Sequence, residues 1–224
     1  MIDVDKYIIR PATVKDIDFL TETVIQAEKS STGNCGLANY FGVTEAEMRE
    51  YLKKMFEEEV DGCEFSVSSF MVVEYEGKVV AAMGGWLEGG NEDEMPSALL
   101  KSNLLMYIMP KETILKSQEN VSITKDLSIE REWGTYQGEY SFVLPEHQGQ
   151  FLLNDLIDAH VSRAKSYGSK VKKMQAHVFE SNKVVVLINK MMGFKIVQSF
   201  TSDNPRIREF FPYNTILLME KEIK

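Results

Sequence analysis

Residues 143–160, VLPEHQGQFLLNDLIDAH, have the pattern of a site that could bind an anion through the backbone. An apolar stretch ends at a proline, a polar turn carries one glycine, and an amphipathic run follows, which predicts a strand, a turn and a helix. The first backbone N–H groups of a helix lack partners inside it, and the helix dipole adds positive charge there. Gly149 has no Cβ and would let a phosphate approach. An ordinary strand-to-helix corner would give the same pattern.

A second stretch, AHVFESNKVVVLINKMMGF at 176–194, predicts another strand followed by a helix. The strand ends at Val178, and Asn182 has the side chain of a helix N-cap. Gly193 is typical of a helix that ends in a left-handed residue, and Phe194 would begin the next strand. The two stretches together predict consecutive β-α units in the second half of the chain.

The elements that must position these stretches can be predicted along the whole chain. Two capping boxes, Thr13 with Asp16 and Thr44 with Glu47, begin two amphipathic helices in the first half. We predict strands at 6–12, 69–76, 78–87, 138–144, 171–178, 194–200 and 210–223. Further helices are predicted at 96–118, interrupted at Pro110, at 149–167 and at 182–192. We predict loops or irregular chain at 31–42, 88–95 and 119–137.

This order predicts an α/β fold of the α+β kind. Its mixed central sheet has about six to seven strands and helices on both faces, with an antiparallel hairpin in the first half and parallel pairing in the second. No linker or repeat divides the chain, so we expect a single domain over 1–224 with an insert at about 88–137. The insert's stretch 98–116 is too apolar for one exposed face.

Composition narrows the classes of function. The chain has 224 residues and a net charge of −9, which disfavours nucleic-acid binding through basic side chains. Two cysteines without a Cys-x-x-Cys pair and three histidines make a zinc site unexpected, and we expect no metal. The sequence shows neither a signal peptide nor a long apolar run, so we expect no membrane partner and a cytoplasmic location.

The two stretches resemble motifs of the GNAT acyltransferase superfamily, whose members bind acetyl-CoA. The first motif is matched by Val143, Pro145, Gln148 and Gly149, whereas Phe151 and Leu153 stand where the family usually has Gly or Ala. The second is matched by Asn182, Gly193 and Phe194, with Asn189 in place of the usual tyrosine. The start, IIRPATVKDIDFL, is similar to the family's first strand and helix. The resemblance identifies the chain as a divergent member.

The resemblance implies acetyl-CoA as the acyl donor, held in a gap where the fourth and fifth strands diverge. Phe142, Val143 and Leu144 would line the pantetheine arm. The pyrophosphate would be bound by the backbone N–H groups of Gln148, Gly149, Gln150, Phe151, Leu152 and Leu153. Asn182 would reach the pantetheine, and Asn189 would occupy the tyrosine's place beside the cofactor.

The implied reaction is direct transfer of the acetyl group to an amine of a small molecule or peptide. The amine needs a general base, for which we favour Glu139, because strand alternation would put it on the same face as Val143. A solvated role for Glu139 is equally compatible with the sequence, and Tyr140, Glu132 and His177 are further candidates. A backbone N–H near Val143 would stabilise the oxyanion.

Three matters stay open at this point. The leaving thiolate could take a proton from Tyr136 or Tyr140 or leave unassisted, because an asparagine cannot supply one. The insert could pack on the sheet, close over the acceptor pocket or meet a second copy of the chain in a homodimer, and we expect it to form a wall of the acceptor pocket. Alternatives to the enzyme are a non-catalytic module that binds acyl-CoA or another ligand, and a structural protein with an empty cleft.

Overall fold

A computed structural model describes residues 6–90 and 95–223, and one sheet of seven strands runs through them. The strands are β1 (Tyr7–Pro11), β2 (Phe70–Tyr75), β3 (Lys78–Leu87), β4 (Tyr136–Val143), β5 (Lys173–Phe179), β6 (Lys195–Thr201) and β7 (Thr215–Glu222). Their order in the sheet is β1-β2-β3-β4-β5-β7-β6. The predicted mixed α/β sheet is confirmed.

The helices cover both faces of this sheet. They are α1 (Ile17–Lys29), α2 (Gly36–Phe41), α3 (Glu45–Glu58), α4 (Ser97–Ile108), α5 (Lys111–Ser117), α6 (Val121–Thr124), α7 (Leu152–Ser166) and α8 (Lys183–Met191). Alternate strand residues face opposite sides, so Ala82 packs in a core with α1, α3 and α4, while Ala81 packs in a second core with α7 and α8. Most of the insert therefore lies on the face of α1.

Strand pairing differs in part from the prediction for the second half. Among the strands of the described residues only β4 and β5 pair in parallel, whereas β7 lies between β5 and β6 and pairs antiparallel with both. The β5-α8-β6 unit therefore does not make a parallel pair of neighbours. A last strand from the chain end inserts into the space between them, which local periodicity cannot reveal.

Several element boundaries also differ from the sequence prediction. The predicted loop at 31–42 contains α2, and the predicted irregular stretch 119–137 contains α6 and the start of β4. Helix α7 begins at Leu152 rather than 149, because residues before it adopt left-handed backbone conformations. The last strand begins at Thr215 rather than 210. The break at Pro110 between α4 and α5 is as predicted.

Residues 91–94 of the predicted acidic loop at 88–95 lie outside the described residues. Among the helices that are described, none has the length and apolar character needed to cross a membrane.

Candidate active site

A gap opens between β4 and β5 near the middle of the sheet. The two strands pair only where Tyr136–Gly138 faces Met174–Ala176, and beyond these residues both strands continue without pairing to each other. The diverging strands that the resemblance implied are present. The separated edges offer unpaired peptide groups along the side of the gap.

A β-bulge lies in β4 directly beyond the last paired residue. Met83 of β3 faces Ser141 and Gly84 faces Glu139, so Tyr140 is the extra residue, with a left-handed φ of 51°. A bulge shifts the alternation of side chains by one residue. Glu139 therefore lies on the α1 face, whereas Val143 packs in the core of α7 and α8. The prediction that these two side chains share a face is wrong, because it assumed a regular strand.

Backbone groups of β4 point into the gap beyond the bulge. The N–H of Leu144 donates to the carbonyl of Val80 at 2.9 Å, towards β3. Because successive peptide groups of a strand point to opposite edges, the peptide groups of Ser141 and Val143 point to the β5 side. The side-chain amide of Gln148 donates to the Val143 carbonyl at 3.2 Å. The Val143 N–H thus lies on the edge where an oxyanion donor is predicted.

The turn between β4 and α7 has one charged side chain, Glu146, and left-handed backbone conformations just before the helix. Gly149 has a φ of 79° and Phe151 a φ of 60°. The Asp155 N–H makes the first helical bond, to the Phe151 carbonyl at 3.2 Å. The N–H groups of the preceding helical residues have no acceptor within the helix, which is the arrangement that binds phosphate groups.

The two positions that depart from the family pattern behave differently. Leu153 is partly buried against the core of α7 and α8, and its neighbour Leu152 is only 2% exposed. Phe151 is 69% exposed, and its backbone occupies a left-handed region that favours glycine. The side chain of Leu153 is therefore turned into the core, and that of Phe151 lies in solvent at the mouth of the turn.

Glu139 and His177 meet across the point where the strands diverge. The His177 Nδ1 atom lies 2.9 Å from Glu139 Oε1, and both side chains are largely buried. Because an ionised carboxylate only accepts hydrogen bonds, Nδ1 must be the donor. The Nε2 atom of His177 is buried without a hydrogen-bond partner in the described parts of the chain.

Arg131 of the insert binds the same carboxylate. Its Nε and Nη2 atoms donate to Glu139 oxygens over 2.9 to 3.1 Å, and Nη2 also lies 3.0 Å from Glu64 Oε2. Burial by itself would raise the pKa of the Glu139 carboxyl. The charge of Arg131 and the bonds from His177 and Arg131 outweigh it and hold that pKa well below its ordinary value. Glu139 therefore stays ionised and is a poor base.

Glu64 links Lys101 and Tyr140 to Arg131 and Glu139. Its carboxylate is fully buried and accepts from Lys101 Nζ at 2.7 Å and from the Tyr140 hydroxyl at 2.9 Å. Burial, with the nearby charges of Glu64 and Glu28, raises the pKa of Tyr140 well above its ordinary value. Because Lys101 belongs to α4 and Arg131 also belongs to the insert, the insert lies beside the gap.

Glu28 of α1 is the remaining acid close to the cluster. Burial raises its pKa to about 7, Lys101 opposes that rise, and the charges of Glu64 and Glu139 add to it. We name these residues the charged cluster: Glu28, Glu64, Lys101, Arg131, Glu139, Tyr140 and His177. Among the described residues, no group of acidic, His and Cys side chains is placed to hold a metal ion.

Other predicted site residues lie elsewhere. Tyr136 is fully buried and its hydroxyl lies 2.9 Å from His160 Nδ1, in the core below α7. Glu132 pairs with Lys173 at 2.6 Å. Phe142 lies on the face of α1, where its ring is 6.2 Å from that of Phe19. These positions do not bring Tyr136 or Glu132 to the Glu139–His177 pair.

The two asparagines of α8 have mainly structural contacts. Asn182 caps the helix, since its Oδ1 accepts from the Val185 N–H at 3.3 Å. Asn189 is 4% exposed, and its amide lies 3.9 Å from Met219 Sδ on β7. The Asn189 side chain therefore faces the sheet.

Sequence reasoning missed four members of the cluster: Glu28, Glu64, Lys101 and Arg131. One signal was present, because Glu64 is a single acid between Cys63 and Phe65, and such an acid in a buried segment needs a cation. Nothing in the sequence pairs it with Arg131, since the insert's path determines that contact.

Comparison with known proteins supports the fold. No protein-family model matches the chain, and no curated protein matches its sequence. Solved structures do match. An N-acetyltransferase from Staphylococcus aureus Mu50 is 14% identical with a TM-score of 0.64, covering 96% of this chain and 100% of that one. Another acetyltransferase is 18% identical with a TM-score of 0.59, covering 97% and 100%.

A further match was solved with its cofactor. It is a putative acetyltransferase from Salmonella typhimurium in complex with acetyl-CoA, 14% identical, with a TM-score of 0.56 and coverage of 97% of this chain and 94% of that one. At such identities the likeness concerns the fold alone. The chain has the fold of the GNAT acetyltransferases.

Proposed function

We propose that the protein is an N-acetyltransferase that moves an acetyl group from acetyl-CoA to an amine. The observation that carries the proposal is the Glu139–His177 pair at the start of the β4–β5 gap, with His177 Nε2 buried and without a partner in the described chain. An unpaired buried acceptor is costly, and an incoming N–H donor would satisfy it. At the other end of the gap, the turn before α7 offers N–H groups for a pyrophosphate.

In this proposal His177 is the base and Glu139 orients it. An amine is mostly protonated at neutral pH, since its pKa is about 10, and it must lose a proton before it attacks. His177 Nε2 takes that proton, the neutral nitrogen then bonds to the thioester carbon, and the Val143 N–H stabilises the oxyanion. The C–S bond then breaks, the nitrogen releases its second proton to solvent, and the coenzyme A thiolate takes a proton from the imidazolium or from solvent.

The acid for the thiolate is the weakest part of the site. Tyr140 donates its hydroxyl to Glu64, and Tyr136 is engaged with His160 in the core. Asn189 has no proton to give. This favours one second candidate, a module that binds acetyl-CoA without turning it over.

Two measurements test the proposal. Acetyl-CoA should raise the melting temperature in a concentration-dependent way, because it binds only the folded protein. Thiol release from acetyl-CoA should then be faster with at least one amine of a panel than without any amine, where only hydrolysis releases the thiol. A melting shift without thiol release for any amine would support the binding module, and no shift at millimolar acetyl-CoA would contradict both candidates.

A further inference from the structure

Arg131 is the one insert side chain that touches both Glu139 and Glu64 among the described residues. It is 12% exposed, and its guanidinium lies over the ring of Trp86, 5.1 Å from the centroid. Trp86 belongs to β3 and is 2% exposed, so the guanidinium rests on a rigid part of the sheet. Its position is thus set by packing as well as by charge.

The two carboxylates depend on this single cation in different degrees. Glu64 has a second cation, Lys101, at 2.7 Å. Glu139 has only Arg131 and the imidazole of His177 as close partners in the structure described. Removal of the guanidinium would leave two nearby buried carboxylates with one ammonium, which binds Glu64 only, and buried like charges are strongly unfavourable.

The planar guanidinium of Arg131 also determines the orientation of the Glu139 carboxylate. Nε and Nη2 both contact Glu139 Oε1, and Nη2 contacts Oε2 as well. A two-point contact of this kind fixes the plane of a carboxylate, which a single ammonium cannot do. Oε1 is the atom that accepts from His177 Nδ1. The orientation that Arg131 gives Glu139 is therefore the orientation that His177 requires.

We propose that Arg131 is a positioning residue. It holds the Glu139 carboxylate ionised and turned toward His177, so that Nδ1 carries the proton and Nε2 is left as the acceptor. The insert thus supplies a part of the site that the sheet and helices alone lack. The catalytic meaning of this inference rests on the proposed function, but the contact and the tautomer do not.

Charged and titratable groups approach the pair from several elements. Besides Arg131, these groups are Tyr140 on β4, Glu64 in the chain before β2, Lys101 on α4 and Glu28 on α1. A test of Arg131 must distinguish its effect on His177 from the effect of the other cation, Lys101. Lys101 serves as the matched control, because it binds Glu64 and has no hydrogen bond to Glu139.

The first test reads the imidazole directly and needs no substrate. The chain has three histidines, so long-range ¹H–¹⁵N spectra of ¹⁵N-labelled protein are simple to assign with a His177→Gln variant. At a pH where the imidazole is neutral, we expect the proton of His177 on Nδ1 in the unaltered protein. Arg131→Met should move the population toward Nε2–H, and Lys101→Met should leave the pattern unchanged.

Arg131→Lys is the second variant, for use also if Arg131→Met does not fold. It keeps the charge without the planar fork, so we expect a share of Nε2–H tautomer between the shares in the unaltered protein and in Arg131→Met. If Arg131→Met does not fold, we expect Arg131→Lys to show a mixture of both tautomers where the unaltered protein shows one. An unaltered His177 pattern in both arginine variants that fold would overturn the proposal. So would an equal change in Lys101→Met.

The second test is kinetic. With a working acceptor, Arg131→Met should lower kcat by about 10- to 100-fold, the usual effect of losing a group that orients a reactive histidine. The KM for acetyl-CoA should stay within about twofold, because Arg131 lies away from the pyrophosphate turn, and Arg131→Lys should recover part of kcat. Absence of turnover in the unaltered protein would count against the proposed function, and the spectra would still decide the role of Arg131.

Discussion

The two sides of the β4–β5 gap are built from different parts of the chain. On the side of α7, the turn around Gly149 presents backbone N–H groups, and the side chains of Leu152 and Leu153 face the core. On the side of α1, the charged cluster is built from side chains of six separate segments. A backbone site tolerates many side chains, whereas a side-chain site depends on each one, so single substitutions should act very unequally on the two sides.

The largest effect is expected at the base. His177→Gln keeps a polar side chain on β5 but removes the group that takes the proton. We expect thiol release with the best acceptor to fall by about 10²- to 10⁴-fold, the usual contribution of a general base.

The acetyl-CoA affinity of His177→Gln, measured by calorimetry, is the internal control and should change less than twofold. A rate within threefold of the unaltered protein would remove His177 from the mechanism. It would also leave the charged cluster with a structural role only.

A large effect on stability is expected at the centre of the cluster. Glu64 is fully buried and is the shared partner of Lys101 and Arg131. Glu64→Gln leaves the largely buried Arg131 and the partly buried Lys101 with one carboxylate fewer, and removal of one partner from a buried ion pair costs about 3–5 kcal/mol. Urea denaturation at neutral pH measures this loss of unfolding free energy.

The control is Glu76→Gln, which breaks the exposed pair with Lys6. Because solvent screens exposed pairs, its effect should be much smaller. Equal effects of the two substitutions would contradict the view that the cluster is a buried network.

A pH-dependent effect is expected at Glu28. Its pKa in the folded state is about 7, above the unfolded value, so the native state holds a proton that the unfolded chain has already lost. The unaltered protein should therefore lose stability as the pH rises from 5 to 8. Glu28→Gln cannot ionise, so its stability relative to the unaltered protein should be higher at pH 8 than at pH 5.

Glu22→Gln on the same helix is the matched control for this pH effect. The pKa of Glu22 is lowered, because bonds from Arg49 and Gln26 outweigh its burial. Its contribution is therefore already complete at pH 5 and stays constant up to pH 8. Denaturation curves are measured at pH 5 and pH 8. If the unfolding free energies of Glu28→Gln and the unaltered protein differ by the same amount at both pH values, the raised pKa of Glu28 is refuted.

The smallest effect is expected on the backbone side. Phe151 is a mostly exposed residue with a left-handed backbone, which costs about 1–2 kcal/mol for a residue with a Cβ. Phe151→Gly removes that strain but adds freedom to the unfolded chain, so stability should change by less than about 1 kcal/mol. Acetyl-CoA affinity should be kept or rise, as calorimetry can show. A loss of more than tenfold would mean that the ring itself binds the cofactor.

The sequence could predict the backbone side of the gap and could not predict the other side. The turn at Gly149, the capping box just before α1 and the caps of α3 and α8 depend on neighbouring residues, so local patterns indicate them. The bulge at Tyr140 depends on how β3 pairs with β4, and it moved Glu139 to the other face. The contacts of Arg131 join residues far apart in the chain, through an insert with no periodic pattern.

The position of the last strand shows the same limit. Helix α8 and strand β6 were predicted near their observed bounds, and β7 was predicted with too early a start. The place of β7 between β5 and β6 is decided by long-range pairing alone.

A crystal structure of the protein with coenzyme A would show directly whether the gap between β4 and β5 holds the cofactor. We expect the pyrophosphate within hydrogen-bond distance of the backbone N–H groups of residues 149–153, the pantetheine arm between β4 and β5, and the thiol directed toward His177 Nε2. Coenzyme A bound elsewhere, or an arm that leaves the gap empty, would contradict the account.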